Sequence, residues 1–112
     1  SDVPVERPSP LLGFASAVSR QDAGGFPAGG WNPEQCMSRP EALKAFTRWA
    51  AYAAFREDAY GSIEVGKIAD LTVLGRDIMT VPVDSIRSVP VSMTVVGGTI
   101  VSPVPGVSTG AR

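Results

Sequence analysis

The chain has 112 residues, and its 44% hydrophobic content supports a globular core and excludes a disordered polyelectrolyte. Ten basic and eleven acidic residues give a net charge of −1, and Lys44 and Lys67 are the only lysines, so nucleic acid is not an expected partner. No apolar stretch approaches the ~18 residues of a membrane span, so a membrane is not an expected partner either.

The first predicted element is a short amphipathic helix over residues 11–20. Its apolar side chains follow helical spacing at Leu11, Phe14, Ala15 and Val18. Before it, residues 1–10 contain three prolines and no helix or strand pattern, and the abrupt start is typical of a cut through a longer chain. After it, residues 21–37 are rich in glycine and proline and predict a loop. A loop of that length is uncommon unless it is functional or packs on another structure.

The strongest helix signal begins at Ser38. Ser38 and Glu41 form a capping-box pattern, and Pro40 is tolerated in the first turn because its missing N–H would have no helical partner there. Apolar side chains at helical spacing predict one buried face, which comprises Ala42, Leu43, Phe46, Trp49, Ala50 and Ala53. We expect this helix to end near Asp58, with Gly61 as the stop signal beyond it.

Beyond Gly61 the pattern changes to that of β-structure. Short runs of apolar residues with period-2 alternation predict strands over residues 62–64, 69–74, 89–96 and 99–102. Gly97 and Gly98 predict a two-residue hairpin turn of the primed kind, which needs two positive φ angles. A helical turn is expected at residues 83–86 and a disordered tail at residues 103–112. The predicted fold class is α+β, with one or two helices followed by a small antiparallel β-sheet.

Few residues of this chain are candidates for catalysis or metal binding. Histidine is absent, which removes the commonest general base and the commonest metal ligand. Cys36 is the single cysteine, so it cannot form an internal disulfide, and it has no histidine or basic neighbour to activate it. We interpret it as a plain thiol that favours a reducing compartment, and therefore a cytoplasmic location. Glu57, Asp58 and Glu64 are expected to be solvated.

Three aromatic residues and one aspartate deserve separate interpretations. Trp31, Phe46 and Trp49 could form a ligand cage, but aromatic residues at helical spacing are more often core residues, and we favour the core interpretation. Asp70 lies at the start of a predicted strand. We expect its carboxylate to cap the preceding turn, which includes Gly66.

Five stretches of the chain carry a family resemblance through their order and spacing. They are residues 1–6 (SDVPVE), 30–35 (GWNPEQ), 41–55, 61–71 (GSIEVGKIADL) and 95–101 (VVGGTIV). Together they resemble the C-terminal end of the metal-dependent amidohydrolase superfamily, specifically its amidohydrolase-3 branch. The resemblance covers nearly the whole chain apart from the final ten residues.

The resemblance implies a TIM barrel that hydrolyses C–N and related bonds with a divalent metal, flanked by a β-sandwich built from both chain ends. Residues 1–60 would then be the end of the barrel, residues 61–102 a portion of the sandwich, and residues 103–112 the tail. Only Asp2 carries over from the family's catalytic set. It resembles the aspartate after the eighth barrel strand, which contacts the metal or its water and acts as the general base. The implied metal is zinc, held mainly by residues of earlier strands.

Two functions from different classes remain open. The first is the C-terminal portion of a metal-dependent hydrolase of non-peptide C–N bonds, with the remainder of the barrel as its partner. A catalytic zinc ion is bound by three protein ligands, and one carboxylate cannot hold it, so we expect the isolated chain to bind no cofactor and to be inactive. We also expect it to self-associate through apolar surface that lacks its partner. The alternative is an independent small α+β interaction or oligomerisation module without catalytic activity.

Overall fold

A computed structural model describes residues 4–5 and 7–102 of the chain. Its helices are α1 (Pro10–Ser19), α2 (Arg39–Phe46) and α3 (Arg48–Ala53), and its strands are β1 (Leu71–Leu74), β2 (Val91–Val96) and β3 (Thr99–Ser102). The strands form one antiparallel sheet in the order β1-β2-β3. This arrangement confirms the predicted α+β class of helices followed by a small antiparallel sheet. Within the described ranges, no helix has the length and apolar character that crossing a bilayer requires.

The connections between these elements follow the predictions closely. α1 begins one residue before the predicted start because Pro10 occupies its first turn, where a missing N–H is harmless. The loop after α1 is confirmed, and its only regular structure is the 3-10 turn Pro33–Gln35. The predicted turn before β2 is a second 3-10 turn, Val83–Ser88.

The predicted long helix starts as expected but is divided in two. The Ser38 N–H donates to the Glu41 carboxylate at 2.8 Å, and the Glu41 N–H donates to Ser38 Oγ at 3.4 Å, which confirms the capping box. The prediction of one continuous helix is wrong because α2 ends at Phe46, and the next residue, Thr47, has φ and ψ of −130° and −89°. Thr47 Oγ1 donates to the Leu43 carbonyl at 2.6 Å, a side-chain bond that bends helices.

Helix α3 ends at Ala53, well before the predicted stop near Asp58. The Phe55 N–H donates to the Tyr52 carbonyl and the Arg56 N–H to the Ala51 carbonyl, both at 2.9 Å. These two bonds form a Schellman motif, in which the residue after the cap adopts the left-handed conformation. Phe55 takes that position with a φ of 55°, where glycine is the usual residue.

Replacing Phe55 by Gly should therefore stabilise the chain by about 0.5–1 kcal/mol, since glycine avoids the left-handed penalty of an L-residue. The ring is 90% exposed, so little packing is lost with it. Thermal unfolding followed by circular dichroism measures the effect. A Phe55→Ala variant, which keeps the backbone penalty, is the control and should unfold near the wild-type temperature. Equal stabilisation by both variants would contradict the assignment.

The core lies between α1, α2 and the connection from β1 to β2. Its buried members are Phe14, Ala15, Ala42, Ile78, Ile86 and Val89. The prediction of a continuous buried helix face is wrong, because Ala42 is the only member of the predicted stripe that is buried. Leu43, Phe46 and Trp49 are 40–48% exposed, and the buried residue of α3 is Ala51. Because of the break at Thr47, α2 and α3 do not present one stripe to the same core.

Two arginines join the two halves of the chain around this core. The Arg39 guanidinium donates to the Ile78 carbonyl at 2.6 Å and also to the Val81 carbonyl. Arg87 Nη2 donates to the Gln21 carbonyl at 2.7 Å. These bonds satisfy carbonyl groups of irregular backbone and fix the β1–β2 connection against the helices.

The sheet confirms the hairpin and corrects the strand bounds. Gly97 and Gly98 have φ angles of 55° and 82°, as the predicted primed turn requires. β2 begins after Pro90, which lacks the N–H of a ladder residue, rather than at Val89, which is buried in the core. β1 begins at Leu71, two residues later than predicted.

The predicted strand at residues 62–64 is wrong. This segment pairs with no other strand and forms a turn in which the Lys67 N–H donates to the Glu64 carbonyl at 3.2 Å. Ile63 and Val65, whose alternation suggested a half-buried strand, both point to solvent. Alternation alone cannot supply the pairing partner that a strand needs.

Candidate functional site

Asp2, the one residue predicted to carry catalysis and to contact a metal, lies outside the described residues. Its role therefore stays a prediction. Histidine is absent from the whole sequence, and residues 4–5 and 7–102 contain no group of three His, Cys, Asp or Glu side chains that could hold a metal ion. Since structural and catalytic zinc sites use at least three protein ligands, the described residues do not fit a metal. No metal-dependent step is assigned to them.

The segment from Gly61 to Leu74, which joins α3 to the sheet, contains several polar contacts. Gly61 has a φ of 88° and packs directly on α3. A Cβ atom added there would lie 2.9 Å from Ala51 Cβ and 3.0 Å from Arg48 Cα. The sequence suggested that Gly61 is a helix stop signal. In the structure it is instead a point of close approach between the segment and the helix.

Lys67 holds this segment together through its ammonium group. Lys67 Nζ donates to the Glu57 carbonyl at 2.7 Å and to Ser62 Oγ at 2.6 Å, with a longer bond to the Tyr60 carbonyl at 3.4 Å. The Glu64 carboxylate lies 3.6 Å away, the only ion pair found within residues 4–5 and 7–102. The lysine thus donates hydrogen bonds to carbonyl groups of irregular backbone, and its role is structural rather than ligand binding.

Asp70 stabilises a different turn from the one predicted. Its Oδ1 accepts a hydrogen bond from the Gly97 N–H at 2.7 Å, and the Gly98 N–H donates to the Ala69 carbonyl at 3.0 Å. The prediction that Asp70 caps the turn at Gly66 is therefore wrong. The carboxylate instead fastens the β2–β3 hairpin across 27 positions of sequence, a contact that no local pattern reveals.

Replacing Asp70 by Ala should loosen this hairpin, because the Gly97 N–H loses its acceptor, with a loss of about 1 kcal/mol from the free energy of unfolding. Amide hydrogen exchange at Gly97 measures the effect directly and should become faster. Asp70→Asn keeps an acceptor oxygen and is the matched control, with an intermediate rate. Unchanged exchange at Gly97 in the alanine variant would contradict this role.

The three aromatic residues weighed as a cage occupy three different environments, and the core interpretation is wrong for them. Phe46 contacts Phe14 with ring centroids 6.1 Å apart. Trp31 is 62% exposed, with the Arg20 guanidinium carbon 5.0 Å from its ring centroid. Trp49 lines an open pocket of about 440 Å³. The other residues around that pocket are Lys44, Arg48, Tyr52, Glu57, Tyr60 and Lys67.

The loop from Arg20 to Trp31 has an ordered architecture that the sequence analysis missed. The Trp31 N–H donates to the Arg20 carbonyl at 3.0 Å and closes the base of the loop. Inside it, the Asp22 carboxylate accepts from the Phe26 N–H at 3.0 Å and from the Gly24 N–H at 2.7 Å. The one sequence signal for this turn is an aspartate two residues before paired glycines.

The hydrogen bonds inside this loop also give it a pH dependence. The N–H groups of Phe26 and Gly24 lower the pKa of Asp22 below its ordinary value. A carboxyl group whose pKa falls on folding stabilises the folded state above its unfolded pKa. That contribution is lost as the pH falls through the lowered value. The loop should therefore keep its closed form at neutral pH.

Cys36 lies half-buried beyond this loop and forms no disulfide. Glu57, Asp58 and Glu64, which were expected to be solvated, are exposed.

Among the described residues, two serine hydroxyl groups lie 2.6 Å from a basic or acidic group. They are Ser62 Oγ beside Lys67 Nζ and Ser38 Oγ beside the Glu41 carboxylate, and both contacts belong to the structural turn and the capping box described above. The chemistry of any parent enzyme would have to be completed by residues outside this part of the chain.

Comparison with known proteins gives a consistent family result. Residues 1–102 match the family model described as the Amidohydrolase family. YtcJ of Bacillus subtilis (strain 168), whose name calls it an amidohydrolase, is 34% identical over 101 residues, which is 90% of this chain and 19% of YtcJ. An N-substituted formamide deformylase of Arthrobacter pascens is 35% identical over 100 residues, which is 89% of this chain and 18% of that protein.

A shorter match covers 34% of this chain and 9% of a Danio rerio protein whose name calls it an imidazolonepropionase, with 55% identity over 38 residues. The chain spans about a fifth of the length of the first two relatives. No solved structure matches it.

Proposed function

Since this chain belongs to the amidohydrolase family, in its amidohydrolase-3 branch, we propose that it is the C-terminal portion of a hydrolase acting on non-peptide C–N bonds. The observation that carries the proposal is a match along residues 1–102 to a family whose members are much longer. The name of the formamide deformylase supports the choice of bond, because a formamide contains a non-peptide C–N bond.

Within such an enzyme, the chain has a structural role. Residues 1–60 finish a TIM barrel, and residues 61–102 complete the β-sandwich beside it, with the remainder of the barrel as the partner. Apolar side chains left exposed on α2, α3 and the sheet support this role. They include Leu43, Phe46, Trp49, Val73, Val91, Val96, Ile100 and Val101. Exposed apolar surface of this extent is typical of a face that contacts another structure.

Catalysis belongs to the assembled enzyme. Zinc, the metal that the family resemblance implies, would be held by residues outside this chain, with Asp2 as the one contribution from it. Asp2 is the proposed general base, which takes a proton from the attacking water. The half-buried Cys36, without a disulfide, supports a cytoplasmic location.

The isolated chain should therefore be inactive and should associate with itself. We expect no hydrolysis of an N-substituted formamide above the buffer rate, enhanced fluorescence of a hydrophobic dye, and a sedimentation coefficient that increases with concentration. The full-length enzyme is the control and should hydrolyse the amide without binding the dye. A monomeric chain that melts cooperatively and binds no dye would contradict the proposal and would favour the independent interaction module.

A further inference from the structure

Strand β3 forms one edge of the sheet. The strand order is β1-β2-β3, so β3 pairs with β2 on one side and, within the part of the chain that the structure describes, with no strand on the other. All four residues of β3 are exposed, and the side chains of Ile100 and Val101 are 43% and 44% exposed. The outward backbone N–H and C=O groups of such an edge are a template for a further strand.

This edge has few of the features that keep edge strands from pairing. Natural edge strands carry charged residues, above all lysine, or proline. Residues 88–111 contain no Asp, Glu, Lys or Arg, and β3 itself (TIVS) contains no proline. The Asp70 carboxylate contacts the hairpin at Gly97, in the turn rather than along β3. The one guarding feature is a bulge at Val101, which has no partner in β2.

The opposite edge of the sheet, β1, is flanked by charge. Asp70 directly precedes this strand, and Arg76 follows its last residue by two positions. Leu71 and Leu74 at its two ends are half-buried, and Leu74 packs against the core. An incoming strand therefore meets charged flanks at β1 and an uncharged, exposed strand at β3.

A second copy of the same strand fits the β3 edge. Two β3 strands that approach each other bring no like charges together, so no repulsion opposes their pairing. Their threonine, isoleucine and valine side chains are β-branched and favour strand pairing. A two-fold axis between two copies makes each β3 the partner of the other, so both edges gain hydrogen bonds at once. In a solution of the isolated chain, the copies are the only strands available.

We propose that two copies of this chain pair through β3 in antiparallel orientation and form one continuous sheet of six strands, three from each copy. The inference rests on the self-association expected as part of the proposed function, and it specifies the surface and the number of copies. Because the pairing uses both β3 edges, the product is a closed dimer rather than a growing chain.

Cysteine cross-linking of the 112-residue chain locates the contact. Cys36→Ser first removes the single native cysteine. In a two-fold antiparallel pair, one residue faces its own copy with Cα atoms about 4.5–5.5 Å apart, a separation that a disulfide spans. Either Ile100→Cys or Val101→Cys should therefore form a disulfide between copies under mild oxidation. Val73→Cys is the matched control in β1, equally exposed at 44%, and should not.

A matched pair of lysine substitutions tests whether the β3 edge drives the association. Thr99→Lys places two like charges in the contact and should raise the dissociation constant of the dimer by roughly tenfold. Thr72→Lys makes the same change at an exposed position of β1 and should leave that constant within about twofold. Sedimentation equilibrium measures both, and the wild-type mass should reach a plateau at two chains. Circular dichroism establishes that each variant is folded.

The outcomes separate this inference from the proposed function. Equal weakening by the two lysine variants, or cross-linking at Val73 as efficient as in β3, would show that the copies meet elsewhere and would leave the proposed function in place. A mass that rises beyond two chains contradicts the closed dimer. If the copies pair only after residues 103–112 are removed, that segment occupies the edge and the inference is wrong. A chain that stays monomeric contradicts both proposals.

Discussion

An Asp2→Ala substitution in a full-length enzyme with this C-terminus should lower kcat for amide hydrolysis by about 10²–10⁴-fold, the range expected when a general base is removed. The expectation follows from the match of residues 1–102 to the amidohydrolase family and from the resemblance of residues 1–6 to the end of the eighth barrel strand. Steady-state hydrolysis of an N-substituted formamide measures the effect. Asp2→Asn, which keeps the shape but not the basicity, should be almost as inactive.

Asp84→Ala supplies the control for this substitution. Asp84 is an exposed carboxylate in the Val83–Ser88 turn, and its removal should leave the rate of hydrolysis within about twofold, as for other surface changes. Circular dichroism establishes that each variant is folded. Turnover retained by Asp2→Ala would remove Asp2 from the mechanism while leaving the family assignment in place.

A Gly61→Ala substitution should lower the free energy of unfolding by about 2–4 kcal/mol. Part of this loss, about 1–2 kcal/mol, is the penalty of an L-residue at a φ of 88°. The remainder is steric, because the new Cβ would lie 2.9 Å from Ala51 Cβ and 3.1 Å from the Thr47 carbonyl oxygen, so α3 or the segment must move. Thermal melting should show a decrease of roughly 10 °C or more.

Gly66→Ala separates the two contributions to that loss. Gly66 has a φ of 95°, close to that of Gly61, but a Cβ added there would have nothing within 4 Å. Its substitution should therefore lower stability only by the backbone penalty of about 1–2 kcal/mol. Equal destabilisation by the two variants would show that close packing on α3 does not set the requirement at Gly61.

The features that sequence analysis predicted correctly depend on residues a few positions apart. The capping box joins Ser38 to Glu41, and the primed turn needs only the two adjacent glycines Gly97 and Gly98. Such patterns specify their own geometry, because the interacting groups are already neighbours in the chain. The α+β class could be predicted for the same reason, since most of its helices and strands have local signals.

The features that were missed depend on distant contacts or on competition between local ones. Asp70 could equally cap a nearby turn, and only the folded chain shows that it binds the Gly97 N–H instead. The break at Thr47 depends on whether its hydroxyl bonds to the Leu43 carbonyl or to water. Segment 62–64 has the alternation of a strand but no partner to pair with.

The candidate site divides in the same way. Asp2 was identified through a family resemblance, since one aspartate near a chain end has no local signal for chemistry. The closed loop from Arg20 to Trp31 could not be identified from sequence, because the hydrogen bonds that close it join residues 11 positions apart.

The sheet packs on the buried core through Leu74 and contributes no buried residue to it, which affects the order of unfolding. None of the residues in β1, β2 or β3 is buried, whereas α1, α2 and the Val83–Ser88 turn supply most of the core. Segments with little buried apolar surface open at lower free energy than the rest of a protein. In the isolated chain, amides of the sheet should exchange with solvent through a local opening that leaves the helices in place. Docking of the sheet against a larger partner would slow exchange of the sheet amides before it slows exchange in the helices.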